Sequence, residues 1–242
     1  PAAVGRRGRH PARWRGHLEN LLPDASRVRK VVPRAALPYA EVPEFWTELA
    51  AIDTLASKAL QLQILTATRP SEATGADWSE IDLHAKVWTI PGSRMKAGKE
   101  HRVPLSTELL VLLEGMPSRK GLLFPGTGRT LGPLTIAAPL KLLKELRPGL
   151  TIHGFRSTFR DWAGDQTGHP RDVAEMALAH TIKDKSEAAY RRSDMLERRA
   201  KLMQDWSTYC TAPPSKFARG KAQRSQSPER ARDNNAKIAP AE

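Results

Sequence analysis

The chain has 242 residues and carries 39 Lys and Arg against 26 Asp and Glu, a formal net charge of +13. No apolar run approaches the ~18 residues of a membrane-spanning helix, since the longest aliphatic stretch is residues 109–113. The single cysteine, Cys210, excludes an intrachain disulfide and leaves too little sulfur for a zinc-finger or iron–sulfur scaffold. These properties predict a soluble protein that meets a polyanion.

The positive charge is concentrated at the two ends of the sequence. Residues 1–37 carry nine Lys or Arg and two Asp or Glu, and residues 211–242 carry seven and three. Basic ends are typical either of solvated tails or of segments that contact DNA. The tail at 211–242 has almost no large apolar side chain, so it is predicted to be disordered.

Local patterns predict a mostly helical chain with one small antiparallel sheet. The N-terminal part is broken by prolines, and it predicts one short helix at 12–22 followed by a linker. Apolar spacing and capping residues predict further helices at 43–51, 53–66, 70–74, 106–115, 134–146, 154–164, 171–178, 186–191 and 195–209. Pro70 separates two of them, because proline fits the first turn of a helix but not its interior. Residues rich in β-formers predict strands at 87–90 and 101–105, joined by a polar hairpin loop at 91–99.

The first of three reactive stretches is the break between two predicted helices, Thr-Ala-Thr-Arg-Pro-Ser-Glu at 66–72. Arg69 stands there beside the N-terminus of the next helix, where a guanidinium fork and free backbone amides suit a phosphate. The alternative is a purely structural ion pair between Arg69 and Glu72. The stretch by itself leaves both interpretations open.

The other two stretches lie in the C-terminal half. His153 and Arg156 stand three apart on a predicted helix and face the same way, while Gly154 allows close approach of a ligand or of backbone. Such a pair can stabilise an anion while moving a proton. Further on, His180 precedes Tyr190, which two arginines follow. A phenol is a poor nucleophile unless cations stabilise its oxyanion, and the alternative for Tyr190 is a half-buried helix residue.

The order of these residues along the chain is more specific than any one of them. In chain order the sequence contains Arg-x-x-Glu, a hairpin lysine, His-x-x-Arg, His and Tyr. The hairpin reads Arg-Met-Lys-Ala-Gly-Lys-Glu-His-Arg-Val-Pro-Leu-Ser at 94–106, and the tyrosine stands in Ala-Ala-Tyr at 188–190. In this pattern residues 42–210 closely resemble the catalytic domain of the tyrosine recombinases, the phage integrase family. The resemblance is greatest to the integrases of prophages and genomic islands.

The resemblance implies a role for each reactive residue. Tyr190 would attack a DNA phosphate, leaving a 3′-phosphotyrosyl link and a free 5′-hydroxyl. Arg69 and Arg156 would clamp the non-bridging oxygens, since planar guanidinium forks suit phosphate better than lysine does. His153 would act as general acid and base toward the tyrosine, and His180 would hydrogen-bond the phosphate.

The predicted hairpin would supply the remaining proton. Lys96 at its tip would protonate the departing 5′-oxygen, and Lys99 is the competing choice; the eight-residue gap from Lys96 to Pro104 favours Lys96. Glu72 would orient its neighbours rather than touch DNA. Further DNA contacts are expected from basic residues around the hairpin and the tyrosine: Arg94, Lys99, Arg102, Arg191 and Arg192.

The resemblance also implies an architecture and partners. It implies an α+β, mainly α-helical catalytic domain at 42–210 with a small three-stranded antiparallel sheet. A remnant of a core-binding domain and a basic linker would precede it at 1–41, and the tail would follow at 211–242. The implied partners are double-stranded DNA attachment sites, a homotetramer on DNA and accessory DNA-bending proteins. No metal or cofactor is implied, nor any membrane contact, and the location would be the bacterial cytoplasm at the nucleoid.

Several alternatives stand beside this interpretation. The same chemistry can relax supercoils, as in type IB topoisomerases. A non-catalytic DNA-binding remnant is the second alternative, since only Pro-Ala-Arg-Trp-Arg-Gly-His-Leu-Glu at 11–19 resembles a core-binding domain. A metal-dependent nuclease is disfavoured because no carboxylate or His/Cys cluster at ligand spacing occurs. Finally, an apolar stripe on the last predicted helix, at Met195, Leu202, Met203 and Trp206, either packs on its own domain or docks on a neighbouring subunit.

Overall fold

A computed structural model describes residues 35–126, 132–180 and 194–214. The described elements, in chain order, are α1 (Val42–Ala50), α2 (Leu55–Thr66), α3 (Pro70–Thr74), β1 (Ile81–Asp82), β2 (Val87–Ile90), β3 (His101–Pro104), α4 (Thr107–Glu114), α5 (Ala137–Leu146), α6 (Gly154–Gln166), α7 (Arg171–Ala177) and α8 (Leu196–Thr211). The expected mainly helical α+β architecture is confirmed. The helices predicted at 12–22 and 186–191 lie outside the described residues.

The helix boundaries follow from local capping chemistry. The Thr54 hydroxyl accepts from the Ser57 amide at the start of α2, and the Ser106 hydroxyl accepts from the Leu109 amide at the start of α4. Helix α2 ends where Ala67 adopts the left-handed conformation, with φ of 51°. The short helix α3 begins at its proline as predicted, so the chain turns sharply between α2 and α3.

The three strands form one antiparallel sheet in the order β1–β2–β3. In the hairpin, Ile90 pairs with His101 and Val87 pairs with Pro104. The third strand implied by the family resemblance is β1, which pairs with the start of β2. It contains two residues, so alternation of polar and apolar residues could not reveal it.

Helix α8 lies at the centre of the hydrophobic core. Leu202, Met203 and Trp206 are buried, as is Cys210, and the Trp206 indole N–H donates to the Ile64 carbonyl of α2 at 2.8 Å. The apolar stripe therefore packs on its own domain. Helix α8 also includes Thr211, one residue beyond the boundary predicted for the disordered tail. None of the described helices is long and apolar enough to cross a membrane.

The packed unit begins at Ala35, ahead of the boundary predicted at residue 42. Leu37 is buried, and its carbonyl accepts from the Thr158 hydroxyl of α6 at 2.6 Å. Gly154 lies against the same segment: a Cβ built on it would stand 2.4 Å from the Ala35 carbonyl oxygen. The sequence predicted that a ligand or backbone approaches Gly154 closely, and the structure shows the backbone of residues 35–36 there.

Gly154→Ala is expected to lower the free energy of unfolding by about 2 kcal/mol, because the added methyl overlaps backbone that cannot rotate away. The matched control is Gly164→Ala on the same helix, where a Cβ meets nothing within 4 Å. That change should raise the free energy of unfolding by up to about 1 kcal/mol through helix propensity. Urea denaturation measures both changes in the free energy of unfolding, provided that the dependence on urea concentration (the m-value) stays the same. Equal effects of the two substitutions would contradict the packing at Gly154.

Candidate active site

Arg69 and Glu72 form a compact unit at the start of α3. One carboxylate oxygen of Glu72 accepts from the Arg69 backbone amide and the other accepts from its Nη1, both at 2.8 Å. The Glu72 side chain is 2% exposed and that of Arg69 is 21% exposed. The structural ion pair considered from the sequence is therefore present. It leaves the Arg69 guanidinium partly open, with Nη2 donating to the Ala179 carbonyl at 3.4 Å.

Arg156 is buried beside this unit. Its Nη1 donates to the Ala67 carbonyl and its Nη2 to the Leu178 carbonyl, the latter at 2.6 Å. Burial and the neighbouring charge of Arg69 lower the pKa of Arg156 to about 10. The guanidinium therefore stays charged at neutral pH, and its Nε has no hydrogen-bond partner among the described residues.

Two loops meet at these arginines, one after α2 and the other after α7. Arg69 and Arg156 both donate to carbonyls of the second loop, and Arg156 also donates to the first. Each loop contains an alanine in the left-handed conformation, Ala67 with φ of 51° and Ala179 with φ of 48°. A non-glycine residue held there costs energy that the surrounding contacts must offset. Hydrogen bonds to the backbone of the two loops thus hold both guanidiniums in place.

His180 lies on the second loop. Its Nδ1 lies 2.6 Å from an Oε of Glu175, and its backbone amide donates to the Glu175 carbonyl at 3.0 Å. The His180 side chain is 42% exposed. Since Arg69 donates to the preceding residue, Ala179, the structure brings His180 next to the arginine cluster.

His153 is half-buried at the N-terminal end of α6, one turn before Arg156. The loop that carries it is tied to the Arg69 loop by Gln63, whose amide group donates to the carbonyls of Thr68 and Ile152, both at 3.2 Å. The sequence reasoning missed Gln63. The available signal in the sequence was a glutamine inside the apolar run of α2. In the structure its side chain is 1% exposed.

Arg94 anchors the β2–β3 hairpin to the rest of the domain. Its Nη1 donates to Glu80 at 2.6 Å and its Nη2 to the Glu72 backbone carbonyl at 2.6 Å, so the hairpin is linked to the unit that holds Arg69. Met95 is buried, whereas Lys96 and Lys99 are exposed. Arg94 was predicted to contact DNA, and the structure places its guanidinium in contacts within the protein.

Two further titratable side chains, His101 and Arg199, are also buried. His101 on β3 hydrogen-bonds to the Ala177 backbone, and burial together with the charges of Arg199 and Arg156 lowers its pKa to about 4. Arg199, 1% exposed, donates to the backbone carbonyls of Arg102 and Asp194. Neither His101 nor Arg199 was predicted from the sequence. An arginine on the apolar stripe of α8 was the available signal.

The remaining predicted residues divide into two groups. The Arg102 side chain pairs with Asp194 at 3.2 Å and is 44% exposed. Tyr190, Arg191 and Arg192 lie outside the described residues. Among residues 35–126, 132–180 and 194–214, no three His, Cys, Asp or Glu side chains are grouped so that they could hold a metal ion.

Comparisons with known proteins relate this chain to phage integrases. The model of the phage integrase family matches residues 37–197, a span that includes Tyr190. Prophage integrase IntA of Escherichia coli K12 is 41% identical over 158 residues, which cover 63% of this chain and 38% of that protein. The integrase of Enterobacteria phage P4 is 31% identical over 204 residues, or 75% and 46% of the two chains. The chain therefore spans less than half the length of these relatives.

Among solved structures, the integrase from mycobacterium phage Brujita superposes with a TM-score of 0.55 at 24% identity. The superposition covers 73% of this chain and 58% of that one. This likeness supports the fold.

Proposed function

Because this chain belongs to the phage integrase family, we propose that it is a tyrosine-type site-specific recombinase that integrates or excises a mobile element. The observation that carries the proposal is the convergence of Arg69 and Arg156 on two loops that also present His180. Two guanidiniums in a fixed frame are suited to the negative charge that grows on a phosphate during displacement.

In the proposed reaction the Tyr190 oxygen forms a bond to the phosphorus while the bond from phosphorus to the 5′-oxygen breaks. The tyrosine proton passes to His153, and Lys96, with Lys99 as the alternative, gives a proton to the departing 5′-oxygen. The product is a 3′-phosphotyrosyl link with a free 5′-hydroxyl. A 5′-hydroxyl from a second duplex then reverses the same steps, so strand exchange needs no external energy source.

The arginines supply the electrostatic part of this mechanism. Donors already fixed by backbone carbonyls need little rearrangement when the transition-state charge develops. Glu72 contributes by holding the Arg69 fork rather than by meeting DNA, since its carboxylate is buried and fully engaged with Arg69. Lys96 and Lys99 are exposed on the anchored hairpin, so both ammonium groups are accessible to a bound duplex.

The proposed partners are double-stranded attachment sites, bound by a homotetramer of this chain with the help of DNA-bending proteins. The formal charge of +13 favours association with DNA in the bacterial cytoplasm, at the nucleoid. Arg102, Arg191 and Arg192 are proposed to add contacts to the DNA backbone.

Covalent trapping tests the proposal directly. The full chain is mixed with nicked suicide duplexes that cover the DNA flanking its coding sequence, and the products are denatured and examined by gel and mass spectrometry. A 3′-phosphotyrosyl adduct on one duplex is the expected result. Product strands that join two different duplexes distinguish recombination from relaxation, which returns each strand to its own duplex. Binding without any adduct across the whole set would overturn the proposed activity.

A further inference from the structure

We infer that Glu175 is a positioning residue for His180: its carboxylate orients the imidazole so that Nε2 faces the scissile phosphate. This inference deepens the proposed function and rests on it. Glu175 lies on α7, between the helix that carries Arg156 and the loop that carries His180. Nothing in the order of motifs along the sequence pointed to this residue.

The backbone already places His180 above Glu175. Helix α7 ends in a Schellman turn, in which the Ala179 amide donates to Met176 and the His180 amide donates to Glu175, both at 3.0 Å. Ala179 occupies the left-handed position that such a turn requires, with φ of 48°. The side-chain contact of 2.6 Å between Glu175 and His180 Nδ1 is therefore the second attachment between the same two residues.

The Glu175 carboxylate is itself held in place from a neighbouring helix. Arg160 on α6 donates its Nε to the other carboxylate oxygen at 2.7 Å, and the exposed Arg171 stands 3.8 Å away. Burial raises the pKa of Glu175, but the hydrogen bonds from His180 and Arg160 outweigh it and leave the pKa below its usual value. An ionised carboxylate can only accept hydrogen bonds.

The proton of the contact must then reside on His180 Nδ1, because an ionised carboxylate has none to donate. Fixing Nδ1 as the donor makes Nε2 the ring atom left for the phosphate, and it also fixes the plane of the ring. Phosphate oxygens only accept hydrogen bonds, so Nε2 donates to them when the ring carries a proton on both nitrogens. An aspartate plays the corresponding role toward histidine in serine proteases. A purely structural ion cluster at the surface would contain the same contacts of Glu175 with Arg160, Arg171 and His180. The positioning role differs from it in one respect: removing the carboxylate slows cleavage.

Glu175→Gln removes the charge while keeping the shape of the side chain. We expect the rate of adduct formation on the duplex that traps the wild-type chain to fall about 10- to 100-fold, by analogy with the loss seen when the carboxylate partner of a metal-bound histidine is removed. The affinity for that duplex should stay within twofold. The matched control is Asp165→Asn, which removes an exposed carboxylate from the cleft between α6 and α7 and should leave the rate within twofold.

The second readout is the nitrogen NMR spectrum of the His180 ring in the full chain without DNA, assigned by comparison with His180→Asn. In the neutral form of the ring the wild type should show its proton on Nδ1, and Glu175→Gln should show both ring tautomers. An unchanged tautomer together with an unchanged rate would overturn the inference. If the wild type forms no adduct on any duplex, the proposed function fails, and the NMR spectrum still decides whether Glu175 fixes the tautomer.

Discussion

Tyr190→Phe is expected to abolish covalent capture of DNA while leaving affinity for the duplex within about twofold. The substitution removes one oxygen atom, the atom that we propose attacks phosphorus, and leaves the arginine cluster intact. Loss of a nucleophile lowers the rate by at least about 10⁴-fold, which takes the adduct below detection. The measurement is the suicide-duplex assay, with affinity determined separately by gel shift at fixed salt.

The chain offers a matched control in Tyr209→Phe. The Tyr209 hydroxyl donates to the Tyr39 backbone carbonyl at 3.1 Å, its ring packs against Trp162 and Trp206, and burial raises its pKa. A phenol held in this way is a poor nucleophile, so capture by Tyr209→Phe should match the wild type. Capture retained in Tyr190→Phe, with the adduct mapped to Tyr209 or Tyr39, would refute the assignment.

Arg156→Lys should have the second largest effect, on both chemistry and stability. Lysine keeps the charge but has no fork, so it cannot donate to the Ala67 and Leu178 carbonyls together. We expect the rate of adduct formation to fall by about 10³-fold, the scale of losing one fixed donor to a transition-state oxyanion. The free energy of unfolding should fall by about 2 kcal/mol, because a buried carbonyl loses its partner.

Arg147→Lys separates these two consequences. Arg147 also makes two side-chain hydrogen bonds, to Glu48 at 2.8 and 2.7 Å, but it belongs to neither of the loops that meet at Arg69 and Arg156. Its replacement should lower the free energy of unfolding by about 1 kcal/mol and leave cleavage unchanged. A loss of cleavage in Arg147→Lys as large as in Arg156→Lys would mean that the effect of Arg156 is one of stability alone.

Local chemistry explains why the helices and the hairpin could be predicted from the sequence. Pro70 and Gly75 bound α3, and Ser106 caps α4, because each residue acts on backbone groups within a few positions of itself. The order of reactive residues likewise identified the two arginines that the structure brings together. The predicted roles of His153 and Lys96 in proton transfer stay predictions, as does the role of Tyr190.

The contacts that connect these elements could not be predicted, since each joins residues far apart in the sequence. Arg94 reads as a basic residue for DNA, yet it donates to Glu80 and to the Glu72 carbonyl 22 positions earlier. Arg199 was not singled out from the sequence, yet it is buried and bonds to a carbonyl 97 positions away. Burying a charge requires partners that only the finished fold supplies.

The central position of α8 has a consequence for how the protein is made. A ribosome releases the chain from its N-terminus, and domains generally fold as units as they emerge. Trp206 bonds to a carbonyl 142 positions earlier, and Tyr209 to one 170 positions earlier. A nascent chain whose α8 is still inside the ribosome therefore has no closed core beneath Arg69 and Arg156. The proposed DNA chemistry thus requires that α8 has left the ribosome.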